Sequence, residues 1–163
     1  MKFKLKGLCL ICLIVINVII VILLNVSKSD KIINFDNLEK TLLKQYSELN
    51  LKKLDKYDIS EYFGIVVDDN TSYLFLTNFE NDEANPVPFD PQNLIVVVNS
   101  NDYMDYYNTL KDYIDGIIQN TEDYQKINLY KNALLKSNKN YFYLVIGMDN
   151  NIETIINNYL QSN

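Results

Sequence analysis

Six carboxylates near the middle of the chain are the first candidates for chemistry. Asp68 and Asp69 stand together, and Glu80, Asp82, Glu83 and Asp90 follow within one acidic stretch. Carboxylate oxygens in such numbers suit Ca²⁺, and a pair of carboxyls suits general acid–base cleavage of a glycosidic bond. The spacing matches no EF-hand loop, whose glycine is missing here. Nothing singles out one pair among the twenty acids that follow residue 31. The expected state is a solvated acidic loop, with no catalytic, cofactor-binding or metal-ligating residue assigned.

A second set is aromatic. Tyr103, Tyr106, Tyr107 and Tyr113 fall on one side of a helical repeat. Such rings can stack on sugars or peptides, but helical spacing more often marks a buried face, and these are expected to be core.

What is missing narrows the chemistry further. The chain has no His, no Arg and no Trp, and its two cysteines, Cys9 and Cys12, lie in an apolar run far from the acids. Ser-His and Cys-His nucleophile pairs are therefore excluded after that run, as are the usual nitrogen and sulfur ligands of zinc. No guanidinium fork exists for phosphate. Heavy use of Asn, Ile, Lys and Tyr fits an A/T-rich genome. Residues 1–31 hold five Lys and one Asp, for +4, whereas the rest holds ten Lys against twenty acids, for −10. So acidic a domain repels nucleic-acid backbones, which removes nucleic acid from the expected partners.

Residues 7–26, GLCLICLIVINVIIVILLNV, carry no charge. As a helix they would span about 30 Å, the thickness of a bilayer's hydrocarbon core. The run exceeds a signal peptide's apolar core, and no small residue directly precedes a cysteine at its end. A retained anchor is expected, with Asn17 tolerated inside it. Lys2, Lys4 and Lys6 outweigh Lys28 and Lys31 beside Asp30, which orients the amino terminus toward the cytoplasm. The expected organisation is a cytoplasmic basic segment 1–6, a transmembrane helix 7–26, a linker 27–34 and an extracytoplasmic domain 35–163. The expected location is the cell membrane, single-pass, with the domain outside.

The elements that must position the acids and tyrosines follow from periodicity. Leu38, Leu42, Leu43 and Tyr46 predict a helix from Asp36, with Glu39 at capping-box spacing. A short helix is expected over Leu51 to Tyr57. Tyr73–Phe79 and Asn93–Asn99 read as strands, the second β-branched enough to be central. Between them, Glu80 to Gln92 holds all three prolines, Pro86, Pro88 and Pro91, and predicts a long exposed loop, dispensable for folding. A helix over 103–118, capped by Asn101 or Asp102, carries the tyrosine stripe, and a shorter one covers 121–129. Ala133–Leu135 and Tyr141–Ile146 predict a hairpin turned at 137–140, before a last helix bearing Ile152, Ile155, Ile156, Tyr159 and Leu160. The order α-α-β-β-α-β-β-α predicts an α+β fold: a small, mostly antiparallel sheet with helices packed on one face, preceded by one transmembrane helix.

Several of these residues form a familiar set. They are an N-terminal membrane segment, the LEKTLL helix at 38–43, and a strand ending before a Tyr-rich helix. Tyr124 then precedes an Ala-Leu-Leu strand, followed by Asn140-Tyr141 and an apolar strand running to Gly147. Over residues 35–160 the chain resembles the bacterial extracytoplasmic family known as domain of unknown function 4358, common in low-G+C Gram-positive bacteria. The resemblance implies a lipoprotein or membrane-anchored protein, and no catalytic residues to carry over. Two positions depart from the family: no lipobox cysteine is present, and Lys139 stands where a glycine is usual before Asn-Tyr. The functional expectation is a non-enzymatic, membrane-anchored binding domain of the cell envelope. Its partner would be an envelope protein or cell-wall component, and the alternative is a small carboxylate-dependent envelope hydrolase. An enzyme should gather carboxylates with shifted pKa values in a concave pocket, and a binding module should show an apolar patch or open sheet edge.

Overall fold

The computed structural model describes residues 34–79, 89–138 and 141–161. The apolar run 7–26, the linker up to residue 33, loop residues 80–88 and the hairpin tip 139–140 lie outside the described residues. Among the described residues, no helix is long and apolar enough to cross a membrane.

The domain is α+β. Helix α1 (Phe35–Gln45) leads through a 3₁₀ turn (Ser47–Leu49) into a two-residue strand β1 (Lys52–Lys53) and helix α2 (Lys56–Phe63). Strands β2 (Ser72–Thr77) and β3 (Leu94–Asn99) follow, then helices α3 (Tyr103–Asn120) and α4 (Tyr124–Lys131). A hairpin of β4 (Leu134–Asn138) and β5 (Tyr141–Ile146) precedes helix α5 (Asn151–Gln161). The five strands form one sheet in the order β1-β2-β3-β5-β4, and every pairing is antiparallel.

Capping chemistry moves two helix boundaries. Asn34 caps α1 by accepting from the Asn37 amide, so Asp36 lies in the first turn instead of at the cap. The short helix expected over 51–57 is instead a strand followed by a helix. Asp55 and Asp58 form a reciprocal capping box that starts α2 at Lys56, and Gly64 at φ 67° ends it.

The helices cover both faces of the sheet, which corrects the one-face expectation. Leu94, Val96 and Val98 point to one side, among Phe63, Tyr106, Leu110 and Tyr130 from α2, α3 and α4. Ile95 and Val97 point to the other, among Leu38, Leu42, Ile152 and Ile156 from α1 and α5. Side chains alternate across a strand, so an unbroken apolar run needs cover on both faces. The run Leu94–Val98 required that from the start.

The register defines two ends of the sheet. Ser72, Asn99 and Tyr141 line up at one, and Thr77, Leu94 and Ile146 at the other. The Tyr46 hydroxyl, just past the end of α1, donates to Asp149 Oδ1 at 2.9 Å, three residues beyond β5. Thr41 Oγ1 meets the Tyr159 hydroxyl at 2.6 Å, ten residues beyond Asp149 and near the end of α5. Helices α1 and α5 therefore run antiparallel, and Phe35, where the chain enters α1, lies toward the Ser72–Asn99–Tyr141 end. That end is called proximal here, and the Thr77–Leu94–Ile146 end distal.

Candidate functional site

The acids read together from the sequence do not meet in space. Asp68 lies in the proximal turn before β2, where its carboxylate accepts from the Asn70 amide at 2.7 Å and from Thr71 Oγ1 at 2.9 Å. Those bonds favour its charged form and hold its pKa below the usual carboxylate range. Asp69 is solvent-facing and pairs with Lys56 at 2.7 Å. Glu80, Asp82 and Glu83 fall outside the described residues. Asp90 is at the distal end, bound into other machinery. Among the described residues, no group of three or more acids is arranged to hold a metal ion.

The tyrosine stripe belongs to the face of the sheet covered by α2, α3 and α4. Tyr106 is buried at 6 %, and Tyr103, Tyr107 and Tyr113 pack against the same cluster. The Tyr106 hydroxyl lies 3.2 Å from Thr71 Oγ1, tying α3 to the proximal turn. Burial pushes Tyr113 up to about 12.

The distal end holds the feature that sequence reading missed. Of the last residues of the proline-rich stretch, expected to be exposed loop, Phe89 to Pro91 are instead packed against the core, and only Gln92 is exposed. Phe89 stacks on Tyr62 with centroids 4.4 Å apart, and it meets Phe63 and Phe79 edge-on at 5.0 and 4.8 Å. The Tyr113 hydroxyl donates to its carbonyl at 3.2 Å. Asp90 forms an ion pair with Lys126 of α4. The hydroxyl of Tyr130, itself only 1 % exposed, donates to Asp90 Oδ1 at 3.0 Å, with the buried Pro91 carbonyl 3.2 Å away on the same hydroxyl. Burial raises the Tyr130 pKa strongly, and neighbouring Tyr113 and Asp90 add to the shift. One signal was available: Phe89 is a large apolar residue inside an otherwise acidic and proline-rich stretch.

Both necks of the loop are then tied together. Asn78 Nδ2 donates to Asn93 Oδ1 at 2.9 Å, and the Asn93 amide returns a bond to Asn78 Oδ1 at 3.1 Å. Asn93 Nδ2 also donates to the Gly147 carbonyl at 2.6 Å. Gly147 sits at φ 70°, and a Cβ there would fall 2.0 Å from the Gln92 carbonyl oxygen, so only glycine lets the two segments approach.

These ties leave a cleft of about 480 Å³ between the loop neck and the start of α4. Its walls include Gln92, Asn93 and Gly147 on one side and Asp123, Gln125 and Lys126 on the other. Pro91 and Leu129 are its apolar members. Lys126 is neutralised by Asp90, and Asp123 accepts from the Gln125 and Lys126 amides as the cap of α4. The cleft is therefore polar, with one ion pair and the Asp123 carboxylate among its walls.

The remaining shifted carboxylates move in one direction. Asp149 is lowered by the Tyr46 hydroxyl, and Glu153 by the Lys136 ammonium. A general acid working near neutrality needs the opposite shift. The outer edge of β4 is the one long strand edge at the margin of the sheet; β1, at the other margin, is two residues long.

No protein-family model, curated protein or solved structure matches this chain.

Proposed function

We propose that this chain is a membrane-anchored binding domain of the cell envelope, engaging an envelope protein or cell-wall component through its distal end. Residues 7–26 would be the single membrane-spanning anchor, with residues 1–6 in the cytoplasm and the α+β domain outside. Membership of the extracytoplasmic family that residues 35–160 resemble is part of the same proposal. One observation carries the reading: the distal end of the sheet holds a polar cleft of about 480 Å³ whose loop neck is tied by side-chain hydrogen bonds. The walls of the cleft are fixed by Asn78, Asn93, Gly147 and Tyr130, so it is preorganised and not assembled on contact.

The rival reading, a carboxylate-dependent hydrolase, is the weaker one on electrostatic grounds. Asp68, Asp149 and Glu153 are held ionised by hydrogen-bond donors, which suits structural acids better than a proton donor. Protease added to intact protoplasts tests the topology. It should remove the domain and leave a small membrane stub, and full protection would overturn the orientation. Crosslinking in native membranes should then yield a discrete adduct with an envelope component.

A further inference from the structure

We infer that the outer edge of β4 takes an extended segment of another protein, which joins the sheet as a sixth strand. The inference goes beyond the distal cleft and does not depend on it. Only residues 139 and 140 separate Asn138 from Tyr141, and those two are register partners. Across so short a tip, that pair must be the kind that exchanges both backbone hydrogen bonds. The kinds alternate along an antiparallel ladder, so Leu134, Lys136 and Asn138 turn their backbone groups toward β5. Leu135 and Ser137 turn theirs outward. Carried across the sheet by the register, the same alternation aims the Phe75 carbonyl at β1 and the Asn93 carbonyl at the end of β2. Both bonds are present, from the Leu54 amide at 2.9 Å and from the Asn78 amide at 3.4 Å. Among the described residues, the outward groups of Leu135 and Ser137 make no backbone bond to another segment, whereas the Ala133 amide closes back on the Tyr130 carbonyl at 3.2 Å. Donors and acceptors therefore stand in a row, and an extended backbone is the partner that matches them.

Protein sheets usually guard such an edge with a proline, a bulge, a very short strand or an overhanging lysine. The opposite margin is guarded by shortness, since β1 has two residues. β4 instead pairs one-to-one over five residues, without bulge or proline. Its one charge, Lys136, is held against α5 by an ion pair with Glu153. Leu134 and Leu135 are half-buried, one packed toward each face of the sheet, so an added strand would finish covering both. The incoming segment is therefore apolar where it lies beside that pair. Its charge is constrained as well. Ten Lys against twenty acids after residue 31 repel an acidic segment, and they disfavour a second copy of the same chain for the same reason. The occupant is a neutral or basic extended segment of a different protein, held by its main chain.

The test uses the full-length chain in lipid nanodiscs and follows amide exchange residue by residue. The probe is a peptide of alternating valine and threonine with lysine at both ends. Without it, the Leu135 and Ser137 amides should exchange faster than those of Lys136 and Asn138, which bond to β5. With it, both should become protected in a saturable way, with Kd below about 1 mM. Because the main chain does the binding, Ser137→Ala should leave the affinity unchanged and Ser137→Pro should weaken it at least about tenfold. The same peptide N-methylated at alternate amides, tried on the unaltered chain, should weaken by a similar factor, which keeps the test free of any folding defect in the proline variant. Leu135 and Ser137 amides already protected without peptide, no saturable protection, or equal binding of the N-methylated peptide would each overturn the inference. Protection that rises with the concentration of the chain alone, with a dimer in sedimentation, would make a second copy the occupant and overturn the commitment to a different protein. None of these outcomes bears on the distal cleft, which the crosslinking above tests separately.

Discussion

At the proximal end of the sheet, Asp68 and Asp69 sit in a turn that water reaches, and their bonds run to Asn70, Thr71 and Lys56. At the distal end, Asp90 follows a phenylalanine packed among four aromatic rings and is gripped by Lys126 and a buried tyrosine. Both are aspartates beside strand β2 or β3 in locally acidic sequence. What separates them is the residue alongside: a turn of small polar groups at one end, and Phe89 and Pro91 at the other. Acidic composition predicts solvation only where no large apolar residue draws the backbone inward. An exposed ion pair such as Lys56–Asp69 contributes little, because solvent screens it. The distal tie works through burial, and a lost partner there strands polar groups away from water.

The comparison can be broken from the largest effect down. Gly147→Ala should be the most damaging single change, costing about 4 kcal/mol, because a methyl group at a positive φ would collide with the Gln92 backbone. Urea unfolding checks it, and a wild-type midpoint would show that the loop neck is free to shift. Phe89→Ala should cost about 3 kcal/mol by opening the aromatic cluster. Replacing only residues 80–88 by a short Gly/Ser linker should cost under about 1 kcal/mol, since closure entropy grows only with the logarithm of length. Equal losses from both changes would erase the boundary drawn at Phe89. Tyr130→Phe should cost about 1–2 kcal/mol by leaving Asp90 and the Pro91 carbonyl short of a donor. Lys56→Ala at the proximal turn should leave the midpoint where it is.

The pH dependence draws the same distinction in a different variable. Burial raises Tyr113 and Tyr143 to about 12, and Tyr46 and Tyr130 rise as well. Unfolded tyrosines ionise near 10, so this contribution to stability is complete below about pH 10 and is lost as pH rises toward about 12. With no Trp in the chain, tyrosinate absorbance can follow it directly. A late phase is expected in that titration, the buried set ionising only on unfolding. A single phase near pH 10 would contradict the burial described here.

Much of the architecture was legible in the residues themselves. The tyrosine stripe of α3 carries a helical period, and the short β-branched and aromatic runs of β3 and YFYLVI suit strands by length and composition. The second covered face was also written in Leu94–Val98, yet it is easy to overlook because no single residue announces it. The start of α2 depended on a reciprocal bond between Asp55 and Asp58, which two aspartates in a row of lysines and tyrosines do not advertise. The distal cleft was the least readable part. It brings together Gln92, Gln125 and Gly147, far apart in the chain and each unremarkable alone, and only the antiparallel register and the packing of α4 unite them.

The central proposal is that the distal cleft meets an envelope component. Photo-crosslinking residues introduced one at a time at Gln125, in the distal cleft, and at Asp36, in the first turn of α1, test it in intact cells. The account predicts a discrete envelope adduct from position 125 and no such adduct from position 36. Adducts of the same size and yield from both positions, or from position 36 alone, would contradict it.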